Sequence, residues 1–211
     1  WLSLDEADNV PSRFTEYMIA SLEEGGAHLG SITLAIDSAG QAFEDFGLKG
    51  FIRETMDLEQ ELVLILDDYH LIDNHDIHAA IAYLIEHIPP RLHLILLTRS
   101  DPPLELARLR VADQLVEVRM EHLRFSQQET TAFVKKTAGM QLDEADASAL
   151  NARTEGWVAG LQMAAISMQG RQDISSFIAA FAGSHRFVFD YMLEQVLNRQ
   201  SPEMRQFLLK T

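Results

Sequence analysis

The sequence predicts an α/β fold, with a parallel sheet confined to the first half of the chain and an all-helical second half. Three observations predict it. Two short apolar runs, Leu62 to Leu66 and His93 to Leu97, are bounded by polar residues and separated by a helical pattern. That is the signature of strands buried on both faces of a parallel sheet. After Ser126 no such run occurs, and Gly156, Gly170 and Gly183 punctuate helical stretches instead. With 211 residues, 47% of them hydrophobic, the chain can bury one good core and a smaller second one.

Taken in order, Trp1 to Leu4 reads as a first strand. A helix opens near Pro11, carries Phe14, Tyr17, Met18 and Leu22 at helical spacing, and stops at Gly25-Gly26. Between His28 and Gln60, Phe43, Phe46, Phe51, Ile52 and Met56 suggest one or two further helices. Leu62 to Leu66 is the clearest strand and ends in Asp67-Asp68-Tyr69-His70. Ile77, Ile81, Leu84, Ile85 and Ile88 then mark one face of a helix that Pro89-Pro90 terminates. The strand His93 to Leu97 runs into Thr98-Arg99-Ser100-Asp101, and Pro102-Pro103 opens a short helix through Arg110. Leu115 to Val118 reads as a weaker strand. Ser126 with Glu129 forms a capping box for a helix ending near Gly139. Further helices are expected near Asp143 to Arg153, Trp157 to Gln169, Ile174 to Phe181, Phe187 to Arg199 and Pro202 to Leu209.

Composition excludes several classes. With 17 Lys and Arg against 32 Asp and Glu, the net charge of −15 repels phosphate backbones, so direct nucleic-acid binding by this stretch is not expected. The absence of cysteine rules out disulfides and thiolate metal sites and fits a cytoplasmic setting. No apolar run approaches the roughly 20 residues of a membrane helix. Trp1 opens onto Leu2-Ser3-Leu4 with no start or leader pattern, so the chain is expected to begin inside a domain.

The chemistry-bearing residues follow from topology. Ligands of parallel sheets bind beyond the carboxyl ends of the strands, where Asp67, Asp68 and Arg99 fall. One strand-end carboxylate can hold Mg²⁺ while its neighbour orients or deprotonates a water beside a γ-phosphate, with Arg99 touching the same phosphate. The ordinary use of an Asp pair in that position is a helix cap or a turn. A phosphate loop of the form G-x-x-x-x-G-K-[ST] occurs nowhere, and Gly47-Leu48-Lys49-Gly50 lacks its spacing and its following hydroxyl. His70, His75 and His78 with Asp73 and Asp76 are the types that bind Zn²⁺ or Ni²⁺, but in a turn and helix start they are also ordinary capping residues. Trp157, Leu161, Ala164 and Met168 make a helical stripe that reads as core.

WLSLDEADN near the start, LVLILDDYHLI, LHLILLTRSDPPLELARLR, LRFSQQE and RTEGWVAGLQMAA follow one another in this order. With these five phrases the chain resembles the ATPase region of the large ATP-binding LuxR-type transcriptional regulators. These are of the maltose-regulon-activator type, within the signal-transducing ATPases with numerous domains. The resemblance implies an incomplete P-loop NTPase-like sheet, with the first strand and Walker A loop missing, over residues 1–123. It further implies a helical domain over 124–183 and helices leading into a winged-helix-like domain over 184–211. Asp67 is similar to the Walker B metal-site aspartate and Asp68 to the adjacent acidic residue with a catalytic role, while Arg99 resembles the sensor arginine. Gly156-Trp157-Val158 resembles the family's Gly-x-Pro turn beside adenine, although Val158 stands where the family has proline.

Implied for the intact regulator are ATP or ADP with Mg²⁺, ATPase activity, self-association, and inducer and DNA contacts through domains outside this stretch. This stretch alone is expected to hold no nucleotide tightly. The missing strand would lie between the strand ending at Leu97 and the one near Val118, which are then expected to pair directly or to borrow a strand from another molecule. Two other readings stand beside this one. One is a protein-interaction scaffold with no nucleotide role, the other an unrelated α/β hydrolase using Asp67 or Asp68.

Overall fold

The computed structural model describes residues 1–27, 48–56 and 60–181. The expected helices at Phe187 to Arg199 and Pro202 to Leu209, the region 184–211, and the Phe43 and Phe46 positions lie outside the described residues. The chain divides into two compact units, Trp1–Leu115 and Val116–Thr211.

In the first unit the strands are β1 (Leu2–Ser3), β2 (Leu62–Asp67) and β3 (Leu92–Leu96), in the spatial order β1-β2-β3. All pairings are parallel, as the two apolar runs predict. Leu2 lies opposite Leu66 and Ser3 opposite Asp67, while Leu62 to Leu66 match Leu92 to Leu96 in step. α1 (Pro11–Glu24) starts with proline at its first turn, where the missing N–H costs nothing. It buries Phe14, Met18, Ile19 and Leu22. Tyr17, expected on that face, instead points outward and lies under the Arg13 guanidinium, 4.9 Å from the ring centre. α2 (Leu48–Met56) buries Phe51 and Ile52. α3 (His75–Glu86) is capped by Asn74, whose side chain accepts from the Asp76 N–H, and buries Ile77, Ile81 and Leu84 in the same core as Leu64 and Leu66. α4 (Leu106–Val111) closes the unit.

Two expectations are corrected here. Burial along β2 alternates, and Val63, Ile95 and Leu97 are 49%, 42% and 38% exposed. Among the described residues the helical layer covers one face of the sheet, and the strands are not wholly buried on both. Leu115 to Val118 forms no strand, and Val116 and Val118 are 91% and 63% exposed. A strand is stabilised by its ladder and a packed face, and this segment has neither among the described residues.

The described part of the second unit is helical. α6 (Gln127–Ala138), α7 (Glu144–Thr154), α8 (Val158–Met168) and α9 (Ile174–Ala180) fall where helices are predicted, and they are preceded by the short α5 (Met120–Leu123), which is not. The Ser126-Glu129 capping box is formed. Ser126 Oγ accepts from the Glu129 N–H, and the Glu129 carboxylate accepts from the Ser126 N–H at 2.8 Å. Val134, Leu150, Leu161, Ala164 and Met168 form the centre of the core, each wholly buried, so the stripe on α8 is packing surface. No helix among the described residues is long and apolar enough to cross a membrane.

Candidate functional site

β2 is the middle strand, and its last residue, Asp67, sits at the carboxyl edge of the sheet. The Leu4 N–H donates to the Asp67 carbonyl at 3.0 Å, and on the other side the Leu97 N–H donates to the Leu66 carbonyl at 2.9 Å. Asp67 Oδ1 accepts from the Asp68 N–H at 2.9 Å, and that carboxylate is half-buried. Asp68 adopts a left-handed conformation, φ 56°, ψ 34°. For a residue with a Cβ this costs roughly 1 kcal/mol or more.

The chain then tightens into a 3₁₀ turn, Tyr69–Leu71, with the Leu71 N–H donating to the Asp68 carbonyl at 2.9 Å. The Tyr69 N–H returns to β3 by donating to the Leu97 carbonyl at 3.0 Å, so the ends of β2 and β3 are tied side by side.

Arg99 follows β3 in an exposed loop and makes no ion pair with either aspartate. The loop turns on itself as the Thr98 hydroxyl donates to the Ser100 carbonyl at 2.8 Å. Strand-end geometry thus brings Asp67, Asp68 and Arg99 to one edge of the sheet.

Beside that edge lies a cleft of about 340 Å³, lined by Tyr69, His70, Asp73, His75, His78 and Ser100 among others. The Tyr69 ring is buried, and its hydroxyl lies 2.8 Å from His78 Nδ1. Burial holds the Tyr69 phenol protonated well above its usual range and pushes the His78 imidazole below its own. Both shifts favour a neutral pair joined by one hydrogen bond between the phenol oxygen and Nδ1.

His70 Nδ1 is buried without a hydrogen bond, and its nearest acid is Asp68 Oδ1 at 3.8 Å, too far for one. Among the described residues no three His, Asp or Glu side chains converge as a metal-ligand set. The histidine cluster weighed for Zn²⁺ or Ni²⁺ is instead distributed between the Tyr69 contact and the wall of the cleft.

Gly156 and Trp157 belong to the second unit. Glu155 and Gly156 are both left-handed, at φ 50° and 69°, and end α7 as the Gly156 N–H donates to the Asn151 carbonyl at 3.1 Å. The Phe125 N–H donates to the Gly156 carbonyl at 2.8 Å, and the Asn151 side chain donates to the Phe125 carbonyl at 2.7 Å. A Cβ on Gly156 would press on the Phe125 carbonyl oxygen and lie 2.9 Å from its nitrogen. Glycine is therefore demanded by the approach of the two backbones. Trp157 is the residue just before α8 and is 37% exposed.

Sequence reasoning missed Asn9. The residue stands in the 3₁₀ turn Glu6–Asn9 after β1, and its side chain reaches the segment after Asp68. Oδ1 accepts from the Asp73 and Asn74 N–H groups at 2.7 and 3.0 Å, and Nδ2 donates to the Leu71 carbonyl at 2.8 Å. These partners lie more than sixty residues away, so no local pattern points to them.

No protein-family model matches the chain. Proteins named HTH-type transcriptional regulator MalT match it from end to end: 38% identity over 216 residues in Serratia proteamaculans, 37% over 217 in Yersinia enterocolitica and 34% over 215 in Yersinia pestis. The match covers 100% of this chain and 24% of each relative, so the chain spans about a quarter of their length. The resemblance carried by the five motif phrases therefore holds, and the chain is similar over its whole length to one segment of the HTH-type transcriptional regulators named MalT.

Proposed function

We propose that this chain is the central nucleotide-controlled switch of an ATP-dependent LuxR-type transcriptional regulator acting in the cytoplasm. The observation that carries the reading is the aspartate pair at the carboxyl edge of the middle strand, with Arg99 following the neighbouring strand. In the intact protein Asp67 would hold Mg²⁺. Its carboxylate is a hard oxygen donor with one oxygen committed to the Asp68 N–H, which fits that ion. When bound, Mg²⁺ would neutralise charge on the nucleotide phosphates. Asp68 orients the attacking water and accepts its proton, and Arg99 contacts the γ-phosphate and so distinguishes ATP from ADP.

A switch requires that nucleotide make different contacts in the two states of the protein. Self-association would follow exchange of ADP for ATP, with inducer and DNA bound by other parts of the regulator. No G-x-x-x-x-G-K-[ST] occurs in the 211 residues, so the amides and lysine that grip the phosphates have to come from elsewhere in the protein.

The test uses the intact regulator. Asp67→Asn should weaken Mg²⁺-dependent ATP binding at least tenfold, or about 1.4 kcal/mol. Asp68→Asn should slow hydrolysis by roughly 100-fold with binding retained, and Arg99→Ala should narrow the ATP-to-ADP preference. If all three leave affinity and turnover unchanged, the site is misplaced. The 211 residues alone should bind Mg-ATP no tighter than about millimolar. Micromolar calorimetric affinity would sink the argument from the absent loop.

A protein-interaction scaffold with no nucleotide role is the second reading. It is favoured by the exposed apolar run of the second unit, where Val116, Val118, Met120 and Leu123 are 91%, 63%, 67% and 64% exposed. An intact protein that binds no nucleotide would leave this reading standing.

A further inference from the structure

We infer that Asn9 is a positioning residue for Asp68: it fixes from β1 the turn that aims the proposed hydrolytic carboxylate. The inference rests on the nucleotide-switch reading and deepens it.

Among the described residues no side chain hydrogen-bonds the Asp68 carboxylate, and His70 Nδ1 stands 3.8 Å from it. Its direction is therefore set by its own backbone, which stands in the left-handed region at φ 56°. A strained conformation persists only where its surroundings over-determine it. On one side the Asp68 N–H is held by Asp67 Oδ1 and the Tyr69 N–H by the Leu97 carbonyl. On the other side the Asp68 carbonyl accepts from the Leu71 N–H, and the Leu71 carbonyl accepts from Asn9 Nδ2 at 2.8 Å.

The same Asn9 amide fixes the two residues beyond that turn, through the Asp73 and Asn74 N–H groups. Asn74 answers by donating its side-chain N–H to the Asn9 carbonyl at 2.9 Å. Asn9 itself is pinned, because Nδ2 also donates to the Glu6 carbonyl at 3.1 Å. Next to it, buried Asp8 is paired with Arg13 at 2.8 Å. A continuous run of hydrogen bonds thus joins the 3₁₀ turn after β1 to the backbone of Asp68. An aspartate could replace Asn9 as the acceptor of both amides, but it would have no N–H for Leu71.

The experiment is steady-state ATP hydrolysis by the intact regulator carrying Asn9→Ala, Asn9→Asp, or Leu22→Ala, a destabilising core substitution in α1 that leaves the turn's hydrogen bonds in place. Asp68→Asn serves as the reference for lost chemistry. Asn9→Ala should lower kcat by about tenfold or more with KM for Mg-ATP within about threefold, since misplacing a catalytic group by an ångström costs that much. Hydrogen exchange at the Asp73 and Asn74 amides should speed up in the same variant. Asn9→Asp should recover part of kcat, and Leu22→Ala should keep it.

Unchanged kcat in Asn9→Ala overturns the inference, and so does an equal loss in Leu22→Ala. If Asn9→Ala does not fold, a wild-type kcat in Asn9→Asp overturns it. Failure of the underlying reading looks different: wild-type protein that hydrolyses no ATP removes that reading, and the inference with it.

Discussion

The two units each contain a left-handed turn at a residue singled out from the sequence, and the turns have opposite explanations. In the second unit, Gly156 follows left-handed Glu155, and its missing Cβ is where the Phe125 backbone passes. Packing alone accounts for the residue, whether or not a nucleotide ever touches it. In the first unit, Asp68 takes a similar conformation without being glycine, and its side chain has no hydrogen-bonded partner among the described residues. Packing accounts for the turn but not for the carboxylate. A strained residue whose side chain stabilises nothing locally is a stronger pointer to chemistry than a glycine whose neighbours require it.

Gly156→Ala should do the most damage, because it adds left-handed strain to a steric conflict with immobile backbone. A loss of about 3 kcal/mol is expected from the second unit, read as a fall in its melting temperature. A loss below about 1 kcal/mol would show that the turn can relax and that packing does not dictate glycine.

Next in size is Tyr69→Phe, which leaves His78 Nδ1 buried without its hydrogen-bond partner and should cost about 1–3 kcal/mol in urea unfolding of the first unit. Ser126→Ala removes the acceptor of a formed capping box and should cost the second unit about 1 kcal/mol. An unchanged midpoint would mean that the Glu129 half of the box suffices.

Asp68→Gly should give the smallest shift and the opposite sign. Relief of the left-handed strain, less the extra entropy of a glycine in the unfolded chain, leaves a gain of about 0.5 kcal/mol. A clear loss would mean that the aspartate side chain does stabilise the turn, and the contrast with Gly156 would fail.

The His78 imidazole adds a pH test of the same region. Its folded pKa lies below the ordinary 6.5, so below that pH the unfolded chain binds a proton that the native state refuses. Its contribution is therefore present above about pH 6.5 and is lost as pH falls through the depressed folded value. His78→Gln should flatten that acid-side decline. An unchanged slope would place the proton on another group.

Much of this was legible in the sequence for a physical reason. Leu62 to Leu66 and Leu92 to Leu96 are apolar, short and bounded, and their parallel pairing follows from the helix between them. Ser126, Glu129 and Gly139 mark the ends of α6 because capping is local chemistry within a few residues. Asp67, Asp68 and Arg99 were found from topology, since the carboxyl edge of a parallel sheet follows from strand direction alone. Illegible were the features that need a distant partner. Leu115 to Val118 has strand-like residues but no ladder, and Tyr17 has the helical spacing of a core residue but lies under Arg13.

By itself, then, the sequence determined the strand and helix types, the helix caps, the strand-end placement of the aspartates and the kinship with MalT regulators, because each is written in neighbouring residues or in their order. Only the tertiary structure decided which face of the sheet is covered, that Phe125 forbids a side chain at Gly156, that Tyr69 binds His78, and that Asn9 clamps the segment after Asp68. Each of those depends on backbone or side-chain atoms brought together from separate parts of the chain. Such contacts are selected by geometry and the need to satisfy buried polar groups, and no short stretch of residues encodes them.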